Sequence, residues 1–332
     1  MMYEEKIALM KEQIAALQKD AANRKPKNIY LVGCGGSLAT LYPAKYIIER
    51  ETVHATTNAY SANEFFHDPP ARLGKGSLVV LNSQSGSTKE TVAAAKLAKE
   101  RGAMTVAFTG TVGSMLAETV DNPVYYYDNS VNPYPAILSI YPEVYLMTAA
   151  LLDALDGTQH YAEMEQAMDV FEKVGRKIVE EYREPAREFG LKYRGEPIIY
   201  TISSGLDLSS GYVLTNCSFM ECLWIHSSPL HAGEFFHGAF EAVDESTAVF
   251  AFLGIGRTRP VEERAVVFLR RHTPKLTVID AARFDLSELP EWTRPYVATL
   301  YLGDVAGSFC GELSRVKGQP MSSRRYMGVE KY

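Results

Sequence analysis

The apolar positions of the chain fall into short aliphatic runs, each opening into small residues and then into a helix-forming stretch. Residues 28–33 lead through Gly33-Cys34-Gly35-Gly36-Ser37 into a helical segment at 38–50, and residues 77–82 lead through Ser83-Gln84-Ser85-Gly86-Ser87-Thr88 into a second at 88–101. A third unit runs from 103–109 into 113–120 and is followed by a short strand from residue 124. Buried-type strands alternating with helices predict a parallel α/β sheet. Ahead of them Ile7, Met10, Ile14 and Leu17 recur at three- and four-residue spacing, which predicts one amphipathic helix over 3–24, packed on a domain or a partner subunit.

The pattern then restarts. Helical stretches at 140–155 and 160–190 join the two halves, and a strand at 196–203 enters a Ser203-Ser204-Gly205 turn. A helix at 209–226, a strand at 247–254, a helix at 260–272 and a strand at 276–280 follow. The same order of elements in both halves predicts a duplicated domain. The expected boundaries are 1–27 for the N-terminal helix, 28–158 and 196–320 for the two domains, 159–195 for the connecting helices and 321–332 for a tail near the active site.

Composition narrows the class. A chain of 332 residues with 46% hydrophobic and 22% charged content suits two ordinary globular domains and argues against disorder. Its net charge of −6 is the wrong sign for a nucleic-acid partner. Four cysteines without close pairing, and a first segment lacking a leader-like apolar core, point to the cytoplasm. Nor does any apolar run approach the roughly 20 residues needed to cross a bilayer.

Chemistry enters at the turns. Hydroxyl-rich loops at helix N-termini present backbone N–H groups and the positive end of the helix dipole, which favour a phosphate. One such loop is equally the N-cap of an ordinary strand-to-helix turn. Two loops from one sheet, one carrying Gly35, Gly36 and Ser37 and the other Ser83 to Thr88, point to a shared anion site at the carboxyl ends of the strands. Neither a dinucleotide fingerprint nor a P-loop is present, so a phosphosugar fits better than a nucleotide.

The densest polar cluster lies between residues 220 and 238. His226, His231, Glu234 and His237 are spaced around Pro229 and Gly233 without the helical pairing of a metal motif, so no metal is expected. Glu221 shares a helix with Met220, Leu223 and Trp224, which predicts a partly buried carboxylate. Burial disfavours the charged form of a carboxylate, as suits a general base near neutral pH. His237 is a candidate proton donor, with Glu234 the next candidate base.

Together, Gly33-Cys-Gly-Gly-Ser, Ser83-Gln-Ser-Gly-Ser-Thr and Gly233-Glu-Phe-Phe-His-Gly resemble the sugar isomerase (SIS) family. They resemble the isomerase half of glucosamine-6-phosphate synthase and, more closely, the bacterial fructosamine-6-phosphate deglycases. The segment at 61–65 and the tail Arg324-Arg-Tyr-Met ending in Tyr332 strengthen the second likeness. The resemblance implies two tandem flavodoxin-like SIS domains, a homodimer or higher oligomer with shared active sites, and no cofactor. It assigns phosphate binding to Ser37, Ser83, Gln84, Ser85 and Thr88. Glu221 becomes the base and His237 the ring-opening histidine, reached from a neighbouring subunit. Gly35, Gly36, Ser204, Glu234 and Tyr332 are further candidates for the substrate site.

Two departures separate the chain from the synthases. It carries no cysteine-nucleophile glutaminase domain, which predicts no use of glutamine ammonia, and Lys331 does not stand in the context of their loop lysine. The pair Phe235-Phe236 is expected to make the site more apolar. The expected activity is cleavage of 6-phosphorylated ketoamines to glucose 6-phosphate and an amine. The alternatives are an aldose–ketose phosphosugar isomerase and a non-catalytic sugar-phosphate sensor.

Overall fold

Aliphatic runs without polar interruption become the central strands. In the computed structural model, which describes residues 2–127 and 134–331, β1 (Asn28–Gly33), β2 (Thr56–Ser61), β3 (Ser77–Asn82), β4 (Met104–Thr109) and β5 (Asn122–Tyr125) form one parallel sheet. Its order is β2-β1-β3-β4-β5, the arrangement of flavodoxin-like folds. β3 and β4 are buried along their whole length because helices cover both faces. On one face Val79, Leu81 and Ala107 pack against Phe65, Val92, Ala95 and Leu116, carried by the helices Ala62–His67, Lys89–Glu100 and Met115–Thr119. Each such fully buried aliphatic side chain contributes about 1.5–3 kcal/mol. The amphipathic helix at the N-terminus spans Tyr3–Arg24, buries Met10, Ile14, Leu17 and Ala21, and packs on the helix Ile140–Asp156.

The second sheet repeats the plan with β6 (Tyr200–Ser203), β7 (Pro229–His231), β8 (Val249–Leu253) and β9 (Leu276–Asp280), all parallel, in the order β7-β6-β8-β9. Alternate residues of β8 face opposite layers. Val249, Ala251 and Leu253 join Ala265, Val266 and Leu269 of the helix Arg259–His272, while Phe250 meets Phe189 and Phe309, at ring-centroid distances of 5.5 and 5.4 Å. Contacts divide the chain into two units, Met1–Glu172 with Leu289–Thr293, and Lys173–Glu288 with Arg294–Tyr332. No helix among the described residues is long and apolar enough to cross a membrane.

Several elements differ from expectation. The helix expected at 209–226 is an α-turn at Leu208–Tyr212 that widens into a π-helix over Val213–Cys222 and stops before Trp224. The segment expected as one helix at 38–50 is broken into Gly36–Ala39 and Tyr42–Glu51, with Pro43 in the first turn of the second piece. The strands β2 and β7 went unpredicted. Both lie at sheet edges, paired on one side only, where burial imposes no continuous apolar run.

Candidate active site

In the first unit, Ser37, Ser83, Gln84, Ser85 and Thr88 line one polar pocket of about 410 Å³ together with Gly110 and Thr111. Close packing of strand ends on helix starts brings the two loops there. A side chain at Gly33 would meet the backbone of Leu38 at 3.0 Å, and one at Gly86, whose φ is +61°, would meet Ser114 Oγ at 2.0 Å. Below the loops, the Asn82 side-chain amide donates to Ser37 O at 3.1 Å and Thr40 Oγ1 at 2.8 Å, tying the β3 end to the β1 loop.

Thr88 occupies the N-cap of the helix Lys89–Glu100 without capping it. Its hydroxyl instead pairs with Ser83 Oγ at 2.9 Å. First-turn N–H groups therefore lack a side-chain acceptor at the mouth of a hydroxyl-lined pocket, the arrangement that takes an anion. Ser85 Oγ accepts from the Ser87 hydroxyl at 2.9 Å and the Ser87 N–H at 3.2 Å, which orients the loop. Gly35 and Gly36 are exposed at the turn and do not line the pocket.

In the second unit, Glu221 stands at the end of the π-helix. Wide helical turns of this kind are rare and recur at functional sites. The helix closes with Leu223 N–H donating to Ser218 O at 3.0 Å and Ile225 N–H to Phe219 O at 2.9 Å, and between them Trp224 takes φ +54°. For a bulky residue that conformation is strained, and Trp224 is 40% exposed. Glu221 and Trp224 line a pocket of about 670 Å³ with Met220, Ile225, His226 and the tail residues Arg324, Arg325, Tyr326 and Met327.

Of the expectations for this cluster, the structure changes the one for Phe235. Glu221 is partly buried, as expected, and its Oε1 pairs with Arg324 Nη2 at 2.6 Å. Phe235 is not at the pocket but in the core of its unit, against Phe236, Phe240 and Phe268. His237 and Glu234 are exposed and lie outside the Glu221 pocket, while His231 Nδ1 accepts from Gly233 N–H at 2.9 Å. Among the described residues no three His, Cys, Asp or Glu side chains gather as a metal site. Tyr332 lies outside the described residues.

Ser204 is buried, and its donors are engaged within the chain. Its N–H and Oγ donate to Glu262 Oε1 at 3.0 and 2.8 Å, while Gly254 N–H donates to Glu262 Oε2 at 2.9 Å. Asp207 lies alongside, accepting from Thr299 Oγ1 at 2.6 Å. Burial pushes Glu262 up to about 8, helped by the neighbouring Asp207, and burial likewise pushes Asp207 up to about 6.

Comparison with known proteins places these features in a lineage. A SIS-domain family model matches residues 24–152. Fructosamine deglycase FrlB of Bacillus subtilis is 37% identical over 98% of both chains. The chain belongs to the SIS family. Fructoselysine 6-phosphate deglycase of Escherichia coli is a more distant SIS relative, 26% identical over 95% of this chain and 89% of that one. A solved structure from Bacillus subtilis, described as a candidate phosphosugar isomerase, superposes with a TM-score of 0.93 at 36% identity over 97% of each chain.

Sequence patterns had not indicated Arg324 or Glu262 as parts of this SIS chain's polar machinery. Arg324 meets Glu221 from 103 positions away, so no local signal exists. Glu262 did leave one. It falls in step with Ala265, Val266 and Leu269, the other buried positions of its helix.

Proposed function

We propose that this SIS protein is a fructosamine-6-phosphate deglycase, converting a 6-phosphorylated ketoamine and water to glucose 6-phosphate and a free amine. The observation that carries the assignment is the 37% identity to a fructosamine deglycase over 98% of both chains. Around it stand an uncapped, hydroxyl-lined cradle suited to a sugar phosphate and a carboxylate set in a mostly apolar pocket.

In the chemistry this supports, the phosphate binds Ser37, Ser83, Gln84, Ser85 and Thr88 and anchors the substrate away from its reacting carbons. Glu221 removes a proton from the carbon bearing the amine as the carbonyl oxygen takes one up, and returns it to the former carbonyl carbon as the nitrogen gives up its own. The ketoamine thereby becomes an aldimine, which water hydrolyses. Arg324 engages Oε1 of Glu221 and leaves Oε2 as the proton-accepting oxygen. Proton transfer by a positioned group of this kind is worth roughly 10²–10⁴-fold. His237 is exposed on its own chain and opens the sugar ring in the site of a second copy, making the working enzyme a cytoplasmic homo-oligomer. An aldose–ketose isomerase would share cradle and base, but the roomy apolar pocket beside Glu221 favours a substrate with an organic amine attached.

Incubation with a panel of 6-phosphorylated Amadori compounds, with glucose 6-phosphate release measured, tests the assignment. Release from at least one member is expected. Interconversion of simple aldose and ketose phosphates, with no release from any ketoamine, would overturn it in favour of the isomerase.

A further inference from the structure

We propose that Arg325, held over the Trp224 ring, binds a carboxylate on the amine half of the substrate and so makes the enzyme select amines that carry an acid group. The inference rests on the deglycase assignment of the Glu221 pocket and goes beyond it by naming the group that pocket recognises.

Charge and engagement of the lining residues lead there. Among the described residues Glu221 is the one acidic side chain lining the 670 Å³ pocket, which two arginines also line. Arg324 is committed. One of its terminal nitrogens pairs with Glu221 Oε1 at 2.6 Å, and the other donates to Ser323 O at 2.8 Å, to Met321 O at 3.1 Å and to Cys222 Sγ at 3.3 Å. Arg325 has no ion pair among the described residues; its guanidinium lies 4.2 Å from the centroid of the Trp224 ring. A cation–π contact of this kind does not consume the guanidinium N–H groups, whose fork matches a carboxylate.

The support beneath Arg325 is itself held under strain. Trp224 adopts φ +54° and keeps its indole exposed, conformations that persist at ligand-binding positions when the surrounding structure enforces them. Met220, Ile225 and Met327 add apolar wall. The pocket therefore fits an aliphatic stem that starts at the carbon worked on by Glu221 and ends in an anion. The sugar phosphate has its own cradle in the first unit, so this anion is a second one and belongs to the amine half.

Matched substrates test the inference. Wild-type enzyme is given the 6-phosphorylated fructose adducts of glycine and ethylamine, and of 6-aminohexanoate and hexylamine, with glucose 6-phosphate release followed. In at least one pair the acid-bearing adduct should be favoured by roughly 10- to 100-fold in kcat/KM, the range of a charge-assisted hydrogen bond. Arg325→Gln should collapse that ratio to within a few-fold, Arg325→Lys should keep part of it, and Arg325→Glu should invert it. Equal turnover within both pairs by the wild type, or an unchanged ratio in Arg325→Gln, overturns the inference and leaves the deglycase assignment standing. Release from no adduct overturns both.

Discussion

The loops after β1 and β3 line an open polar pocket, whereas those after β6 and β8, which hold the same places in the second sheet, close on the carboxylate of Glu262. One helical position marks the difference. The fourth residue of the helix after β3 is Val92, part of the apolar core, and the fourth residue of the helix after β8 is Glu262, 2% exposed and holding three donors. Strand-end loops converging on a helix N-terminus gather N–H donors in both units. Where hydroxyl side chains line the loops the donors face a cavity, and where an acidic side chain folds back from the helix the fold supplies its own acceptor. A repeated architecture therefore need not give two ligand sites.

Removing the internal acceptor gives the largest expected effect. Glu262→Ala should leave the Ser204 and Gly254 donors unsatisfied beside Asp207 and destabilise the fold by about 3 kcal/mol. Chemical denaturation checks this, and a loss below 1 kcal/mol would mean that the carboxylate is not what satisfies those loops. In the open cradle, Ser85→Ala or Thr88→Val should raise KM for the phosphorylated substrate by roughly tenfold with kcat little changed, the loss of one hydrogen bond to a charged group. A fall in kcat at constant KM would argue that the loop contributes to the transition state instead of anchoring the phosphate.

A smaller effect follows from protonation. Burial raises Glu262 from its ordinary 4.5 to about 8 and Asp207 to about 6, so the folded chain holds protons that the unfolded chain releases. Their contribution is fully present below the unfolded values and is lost as pH rises through the folded ones. Thermal midpoints should therefore fall between pH 5.5 and pH 8.5. Glu143, fully buried and also raised by burial, acts in the same direction from the first unit, so the informative quantity is the difference from Glu262→Gln. The variant should show a shallower slope, and identical slopes would remove Glu262 from the account.

Legibility of the sequence followed the same division. The open cradle was readable because aliphatic strands running into serine, threonine and glycine advertise both a buried strand and a donor-rich turn, and the structure brings all five proposed phosphate residues into one pocket. The filled cradle was not. Glu262 and Glu263 stand side by side in a charged segment, yet Glu263 pairs with Arg259 at the surface at 2.7 Å while Glu262 enters the core. Only helical phase separates them. The Glu221 pocket was half readable, because its π-helix and its tail partners depend on tertiary contacts that leave no periodic trace.

The central claim is that each chain binds one phosphosugar through the first unit's cradle and that Glu221 moves the proton. Calorimetric titration of Glu221→Gln with a 6-phosphorylated fructosamine tests it most directly, combined with exchange of the proton on the amine-bearing carbon in deuterated solvent. The expected result is one ligand bound per chain, no exchange, and kcat reduced by roughly 10²-fold or more. Two ligands per chain, or exchange and turnover at the wild-type rate, would contradict it.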